Sequence, residues 1–285
     1  FLNKKILNTM SEIKAADVAK LRKMTGAGMM DCKNALVEAN GDYEKAIELI
    51  RERGKAIANK RADREAGEGV VVAKINDAGN FGVMVVLNCE TDFVAKNQDF
   101  VGLAEKIADV ALANNPADLD ALKALPLDGR TVADLVAEQS GVTGEKFDLS
   151  YYEKAEAAKV VSYIHMGSKL GTLIGVNKAD VAEQTVRDIA MQAAAMNPVA
   201  IDKDDVPEKI RKQEFEIGRE QARNEGKPEN MLDKIAEGKL NKFYKESTLL
   251  NQDFVKDNKI TIRQYLQQTD KDLTVVAYKR VSLTL

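Results

Sequence analysis

The sequence predicts an α+β protein: a small N-terminal helical bundle, then a duplicated, two-lobed α+β core with small antiparallel sheets and an antiparallel helical hairpin inserted into its second lobe. Three observations carry that expectation. Apolar residues recur at helical spacing in three short runs between Asp17 and Arg53. A succession of strand, strand, helix, helix, strand is written twice between Gly69 and Val281. The two copies differ by two insertions, one short and one long.

The bundle comes first. Val18 and Leu21, with Arg22 beside them, mark the first helix, and Thr25-Gly26-Ala27-Gly28 ends it, because glycine takes turn geometry at low steric cost. Met29, Cys32, Lys33 and Leu36, with Val37 alongside, mark the second. Asn40-Gly41-Asp42 is the next break, with Asp42 suited to cap the third helix, whose stripe is Tyr43, Ala46, Ile47 and Ile50. A bundle of about 45 residues is near the lower limit for folding alone, so it is expected to dock on something. Gly54 to Gly69 is heavily charged and reads as a solvated helix running into a linker.

The repeat follows. Gly69 to Ile75 resembles Lys159 to His165, and Phe81 to Asn88 (FGVMVVLN) resembles Leu170 to Asn177 (LGTLIGVN). Glu105 to Pro116 resembles Arg187 to Pro198, and the stretch from Thr131 resembles that from Thr261. Strand-like segments from Phe147 and Leu273 close the copies. Adjacent strands joined by short loops favour antiparallel pairing over a wound parallel sheet. The copies are offset by 89 residues at Gly82 and Gly171 but by 82 at Asn115 and Asn197, so the first carries seven extra residues where ETDFVAK sits. From Thr131 to Thr261 the offset is 130, so the second copy carries 48 extra residues after its helix. Insertions that a repeated scaffold does not need are places where function is added.

The long insertion reads as two charged helices around the break Gly226-Lys227-Pro228. Val206, Ile210, Gln213, Ile217 and Gln221 form one seam, and Met231, Leu232, Ile235, Leu240 and Phe243 its partner. Arms of about 18–20 residues project about 27–30 Å at 1.5 Å per residue, too thin to enclose a substrate but long enough to reach a neighbour. The expected domains are therefore 10–54 for the bundle, 55–69 for the linker, 70–156 for the first lobe, 157–200 with 249–285 for the second, and 201–248 for the hairpin. Residues 1–9, FLNKKILNT, read as a leader or remnant ahead of a natural start at Met10.

Composition narrows function. The chain has 285 residues, 45% apolar and 31% charged, with a net charge of −3. That is a folded protein of about two domains with no general affinity for nucleic acid phosphates. No apolar run reaches the roughly 18 residues of a membrane span. Two cysteines inside apolar patterns, Cys32 and Cys89, suit a reducing compartment. A single histidine excludes a His-rich metal site, no GxxxxGK[ST] phosphate loop is present, and Gly26-Ala27-Gly28 lacks the third glycine of a dinucleotide fingerprint. An enzyme is therefore disfavoured.

Four features draw attention. Asp92 and Phe93 have a local reading, as helix cap and staple, and a functional one, as a loop tip that a partner covers. Asn97 already supplies a cap for the next helix, which leaves the functional reading open. Met29 and Met30 cannot share one narrow helix face, so at least one points outward, where methionine suits an adaptable binding surface. Taken alone, His165 reads as an ordinary strand histidine and Arg22 as a surface charge.

Together these residues resemble the elongation factor Ts family. The segment KLRKMTGAGMMDCKNALVEANGDYEKAIE, Lys20 to Glu48, is similar to the family's N-terminal motif, and CETDFVAKNQDF, Cys89 to Phe100, to its second. HMGSKLG, His165 to Gly171, is similar to a third, weaker one, and the resemblance runs from Met10 to about Val281. It implies a ubiquitin-associated (UBA)-like bundle, the two-lobed core and the inserted coiled-coil hairpin. It implies a guanine-nucleotide exchange factor that binds GDP-bound elongation factor Tu, promotes release of GDP and magnesium, and holds nucleotide-free Tu until GTP binds. Arg22, Met29 and Met30 would contact the nucleotide-binding domain of Tu. Asp92 and Phe93, flanked by Thr91 and Val94, would enter near its switch helices. His165 would touch another Tu domain, and Phe254-Val255 resembles a further contact stretch in which Lys256 stands where a Met is common. The resemblance implies no catalytic residue, cofactor or metal, no direct nucleic acid or membrane partner, a bacterial cytoplasmic setting, and a one-to-one or two-to-two assembly with Tu. Many relatives continue past the position of Val281 into a helical C-terminal module, whose contacts are not expected here.

Overall fold

A computed structural model describes residues 13–284; the leader reading of residues 1–9 and the start at Met10 lie outside them. The chain opens with three helices, α1 (Ala15–Thr25), α2 (Met29–Glu38) and α3 (Tyr43–Lys60). Next come β1 (Glu68–Ile75), β2 (Phe81–Cys89), the single turn α4 (Asp92–Ala95), α5 (Gln98–Asn114) and α6 (Leu119–Ala124). A two-residue ribbon, β3 (Pro126–Leu127) and β4 (Arg130–Thr131), leads into α7 (Val132–Thr143) and β5 (Asp148–Glu156). Then follow β6 (Lys159–Ile164), β7 (Leu170–Val176), α8 (Glu183–Met196), α9 (Glu208–Asn224) and α10 (Glu229–Ser247). A second ribbon, β8 (Asp253–Phe254) and β9 (Asp257–Thr261), precedes α11 (Ile262–Thr269) and β10 (Val275–Ser282).

The fold is α+β with small antiparallel sheets. One three-stranded sheet has the order β1-β2-β5 and the other β10-β7-β6, so the second strand of each opening hairpin is central. Both β6 and β10 run antiparallel to β7. Centrality explains the continuous apolar runs: β2 and β7 are buried at every position after the first, as strands covered on both faces must be. The equivalent threonines Thr131 and Thr261 both cap helices, accepting from the backbone N–H of Asp134 at 3.0 Å and of Gln264 at 3.2 Å. The ribbons β3-β4 and β8-β9 were not legible in the sequence: β3, β4 and β8 have two residues each, too few for a periodicity, and the five residues of β9, DNKIT, begin with three exposed polar ones.

Packing divides the chain into two compact units, one reaching to Gly69 with Leu87–Leu103 and Asp120–Ser150, the other made of Val70–Val86, Ala104–Leu119 and Tyr151–Leu285. In the first, Val18, Leu21, Cys32, Ala35, Leu36 and Ala46 form the core of α1–α3. Asp42 caps α3, accepting from the N–H groups of Glu44 at 3.0 Å and Lys45 at 3.2 Å. The helix α3 runs through Gly54 to Lys60 and crosses α7 at Gly141. A Cβ on Gly141 would lie 2.3 Å from the Gly54 Cα, and one on Gly54 2.8 Å from the Glu138 carbonyl oxygen. Two glycines thus let the helix backbones touch, and the bundle docks through this crossing. In the second unit, Ile174, Val176, Val186, Ile189, Leu250, Ile262 and Leu266 belong to one apolar core.

The hairpin α9–α10 turns at Gly226, whose φ is 74°. Its seam keeps Leu232 and Leu240 of the expected one but differs along α9. The buried positions are Gly218 and Ala222 on α9 and Leu232, Ala236 and Leu240 on α10, whereas Gln213, Ile217 and Gln221 face solvent. Gly218 sits against Ala236, where an added Cβ would be 3.3 Å from the Ala236 Cα. Small residues bring the helices close, and that close approach, rather than the larger side chain of Ile217, sets which face turns inward.

Candidate partner-binding surface

The helix α1 ends because Gly26 adopts φ 72° and its N–H returns to the Arg22 carbonyl at 2.8 Å. The break is stitched by Thr25, whose hydroxyl donates to the Leu21 carbonyl at 2.9 Å, and by the Cys32 thiol, which donates to the Ala27 carbonyl at 3.6 Å. With Cys32, Ala35 and Leu36 taking the inward face of α2, its first two residues are left outside: Met29 is 44% and Met30 64% exposed. Arg22 is exposed as well. Met24 and Val37 add further exposed apolar surface on the same three helices.

The seven-residue excess forms α4 and its flanks. Thr91 caps the turn, its hydroxyl oxygen accepting from the Val94 N–H at 3.4 Å. Ala95 is buried and holds the turn down, while Phe93, on the opposite side, is 83% exposed. Phe93 is therefore not a staple. Asp92 pairs with Lys96 at 2.7 Å, and that hydrogen bond raises the Lys96 pKa. Asn97 caps α5, accepting from the Asp99 N–H at 2.8 Å. The Cys89 thiol is fully buried and donates to the Thr91 carbonyl at 3.2 Å. Burial, reinforced by the Glu145 charge, pushes its pKa up to about 12, so it serves as a packing group.

In the other unit, His165 lies just past the end of β6, exposed, its Nδ1 2.9 Å from the Tyr163 hydroxyl. The tight turn that follows leaves Met166 90% exposed; sequence reasoning passed over it, although a methionine beside glycine in a strand-to-strand turn has no core to enter. Phe254 faces inward, 4% exposed and stacked on Tyr265 with ring centroids 4.4 Å apart. A surface role at this stretch therefore falls to Val255, which is 52% exposed. Lys256 reaches back to Asp188 at 2.8 Å. The structure thus gathers Arg22, Met29, Met30 and Thr91–Val94 in one unit and His165, Phe254 and Val255 in the other. Among the described residues no group of three or more His, Cys, Asp or Glu could hold a metal, and no helix is long and apolar enough to cross a membrane.

Large apolar side chains held out from a helix start, a one-turn helix and a hairpin turn define a class: a protein that works by binding other proteins. The comparison with known proteins sharpens this. Residues 90–284 match the family model described as Elongation factor TS. The chain is 55% identical to Elongation factor Ts of Porphyromonas gingivalis, across 94% of this chain and 97% of the relative. It is 51% identical to that of Azobacteroides pseudotrichonymphae over the same shares. With Elongation factor Ts of Phocaeicola vulgatus it shares 40% identity over 94% of this chain and 98% of the relative. The chain belongs to the elongation factor Ts family, non-catalytic guanine-nucleotide exchange factors of elongation factor Tu.

Proposed function

We propose that this chain releases GDP from elongation factor Tu by driving Phe93 between the partner's switch helices, with Asp92 fixing the approach and Thr91 and Val94 as flanking contacts. The observation that carries this reading is the 83% exposure of a phenylalanine on a one-turn helix that Thr91 caps at its start. Water is a poor neighbour for such a ring, so its burial is favourable only when a partner opens to receive it.

The mechanism is linkage. The factor binds nucleotide-free Tu more tightly than the GDP-bound form, so by reciprocity its binding weakens GDP by the same factor. A ~10⁴-fold faster release needs about 5.5 kcal/mol. Burying one Phe contributes roughly 1.5–3 kcal/mol, so anchoring contacts elsewhere must do the rest. On this reading Arg22, Met29 and Met30, in a UBA-like bundle, hold the nucleotide-binding domain. His165 and Val255, on the second lobe of a duplicated core, hold another domain, with Phe254 supporting Val255 from inside. The inserted coiled-coil hairpin reaches a further surface of the same assembly, in a one-to-one or two-to-two complex.

The test is stopped-flow release of fluorescent GDP from Tu in excess unlabelled nucleotide. Phe93→Ala is expected to lose most of the acceleration and keep most of the affinity. Unchanged release in that variant removes the wedge, and a chain that binds Tu without any acceleration is only a tether.

A further inference from the structure

We infer that Glu145 is a positioning residue for the exchange loop: its carboxylate, set on a rigid turn, fixes the backbone from which Phe93 projects. This rests on the reading of Phe93 given above. A four-residue helix has no stability of its own, because fixing its dihedrals costs more than its one or two hydrogen bonds return. Something outside α4 must therefore hold it.

Glu145 supplies the hold. Its Oε2 accepts from the backbone N–H groups of Glu90 at 3.2 Å and Thr91 at 3.1 Å, and its Oε1 accepts from the Thr91 hydroxyl at 2.7 Å. One carboxylate thus satisfies two backbone donors at the exit of β2 and orients the hydroxyl that caps α4. The arrangement is reciprocal. The Glu90 carboxylate accepts from the Lys146 N–H at 2.7 Å and from Arg61 at 2.7 Å. Lys146 in turn donates its ammonium to the carbonyls of Ala62 at 2.7 Å and Arg64 at 3.0 Å. The segment after α3, the loop before α4 and the turn after α7 are laced together by charge-assisted bonds, which are stronger and more directional than neutral ones.

The turn that carries Glu145 is itself fixed. Gly144 ends α7 with φ 75°, its N–H bonded to the Ser140 carbonyl at 2.9 Å. Two residues beyond Glu145, the buried Phe147 donates its N–H to the Ser140 hydroxyl at 3.1 Å and packs edge-on against Phe100 with centroids 4.9 Å apart. The carboxylate is held from both sides and so can hold the loop.

Two measurements test this. In the free chain, Glu145→Ala should speed amide hydrogen exchange at Thr91 to Lys96 and leave α8 unchanged. In GDP release from Tu at saturating factor, it should slow the reaction about tenfold, with affinity changed by less than about threefold. In a Phe93→Ala background the same change should cost nothing more, because a positioned ring that is absent cannot be misplaced. A merely structural role would instead lower stability and add its loss to that of Phe93→Ala. Glu145→Leu, which keeps most of the volume but removes every acceptor for the Glu90 and Thr91 donors, serves if the alanine variant does not fold. If Phe93→Ala slows release while the Glu145 variants do not, or if the losses add, the inference is overturned. If Phe93→Ala itself is silent, the wedge reading fails, and hydrogen exchange still decides whether Glu145 fixes the loop.

Discussion

At the scale of single residues, burial separates what a side chain does for the fold from what it offers to a partner. Phe93 touches little of its own chain, so Phe93→Ala should leave the melting temperature of the free protein within about 1–2 °C, since surface changes stay within about 0.5 kcal/mol. A larger fall in a thermal melt would mean that the ring packs at home. Glu90 shows the opposite case. The Lys146 N–H first, then Arg61, hold its carboxyl below its ordinary 4.5. A folded pKa below the unfolded one contributes stability that is full above 4.5 and is lost as pH falls through the folded value. Urea midpoints measured from pH 7 to pH 3 should therefore show Glu90→Gln less stable than the parent at pH 7 and converging with it at the acid end. Parallel curves would show that the carboxylate contributes nothing by its charge. Asp188 follows the same sign: burial alone would raise its pKa, but Lys256, Gln184 and Tyr265 outweigh burial and lower it.

At the scale of elements, contact between helix backbones decides two packings that side-chain size alone would misjudge. Gly141→Ala puts a methyl 2.3 Å from the Gly54 Cα, where no flexible side chain can yield, so α3 must move away from α7. A loss of about 2 kcal/mol is expected, in the range for overpacked cores, with denaturant titration as the measure. Gly238 in α10 is the contrast: nothing lies within 4 Å of an added Cβ there, and its helical backbone suits alanine. Gly238→Ala should stabilise by about 0.5–1 kcal/mol, because glycine is a poor helix former. Equal effects of the two substitutions would show that the backbone contact at Gly141 costs nothing and that both changes act through the unfolded chain.

At the scale of the whole molecule, the hairpin is a branch whose roots meet. Ala200 and Thr248 form a parallel bridge, the Val199 N–H donates to the Ser247 carbonyl at 2.8 Å, and the Leu249 N–H to the Ala200 carbonyl at 3.0 Å. The seam of α9 and α10 is their own, with Gly218, Ala222, Leu232, Ala236 and Leu240 buried. Replacing residues 207–242 by a linker of about four residues, long enough to span neighbouring helix axes, should therefore leave a cooperative melt and the circular dichroism expected for the rest. Loss of cooperative unfolding would show that the branch is part of the core.

Local chemistry made much of this legible before any coordinates. Glycine breaks, the Asp42 and Asn97 caps and the apolar runs of the central strands follow from rules that act within a few residues. The changes of offset between similar stretches fell where α4 and the hairpin α9–α10 stand, and the motifs around Met29 and Phe93 pointed to the family. What the sequence could not determine was which distant pairs approach. That Gly54 meets Gly141, that Gly218 rather than Ile217 faces α10, that Phe254 turns inward beside exposed Val255, and that Glu145 reaches Thr91 are settled only when the chain closes. Such contacts depend on the positions of whole elements, and no periodicity along the chain encodes a distance across it.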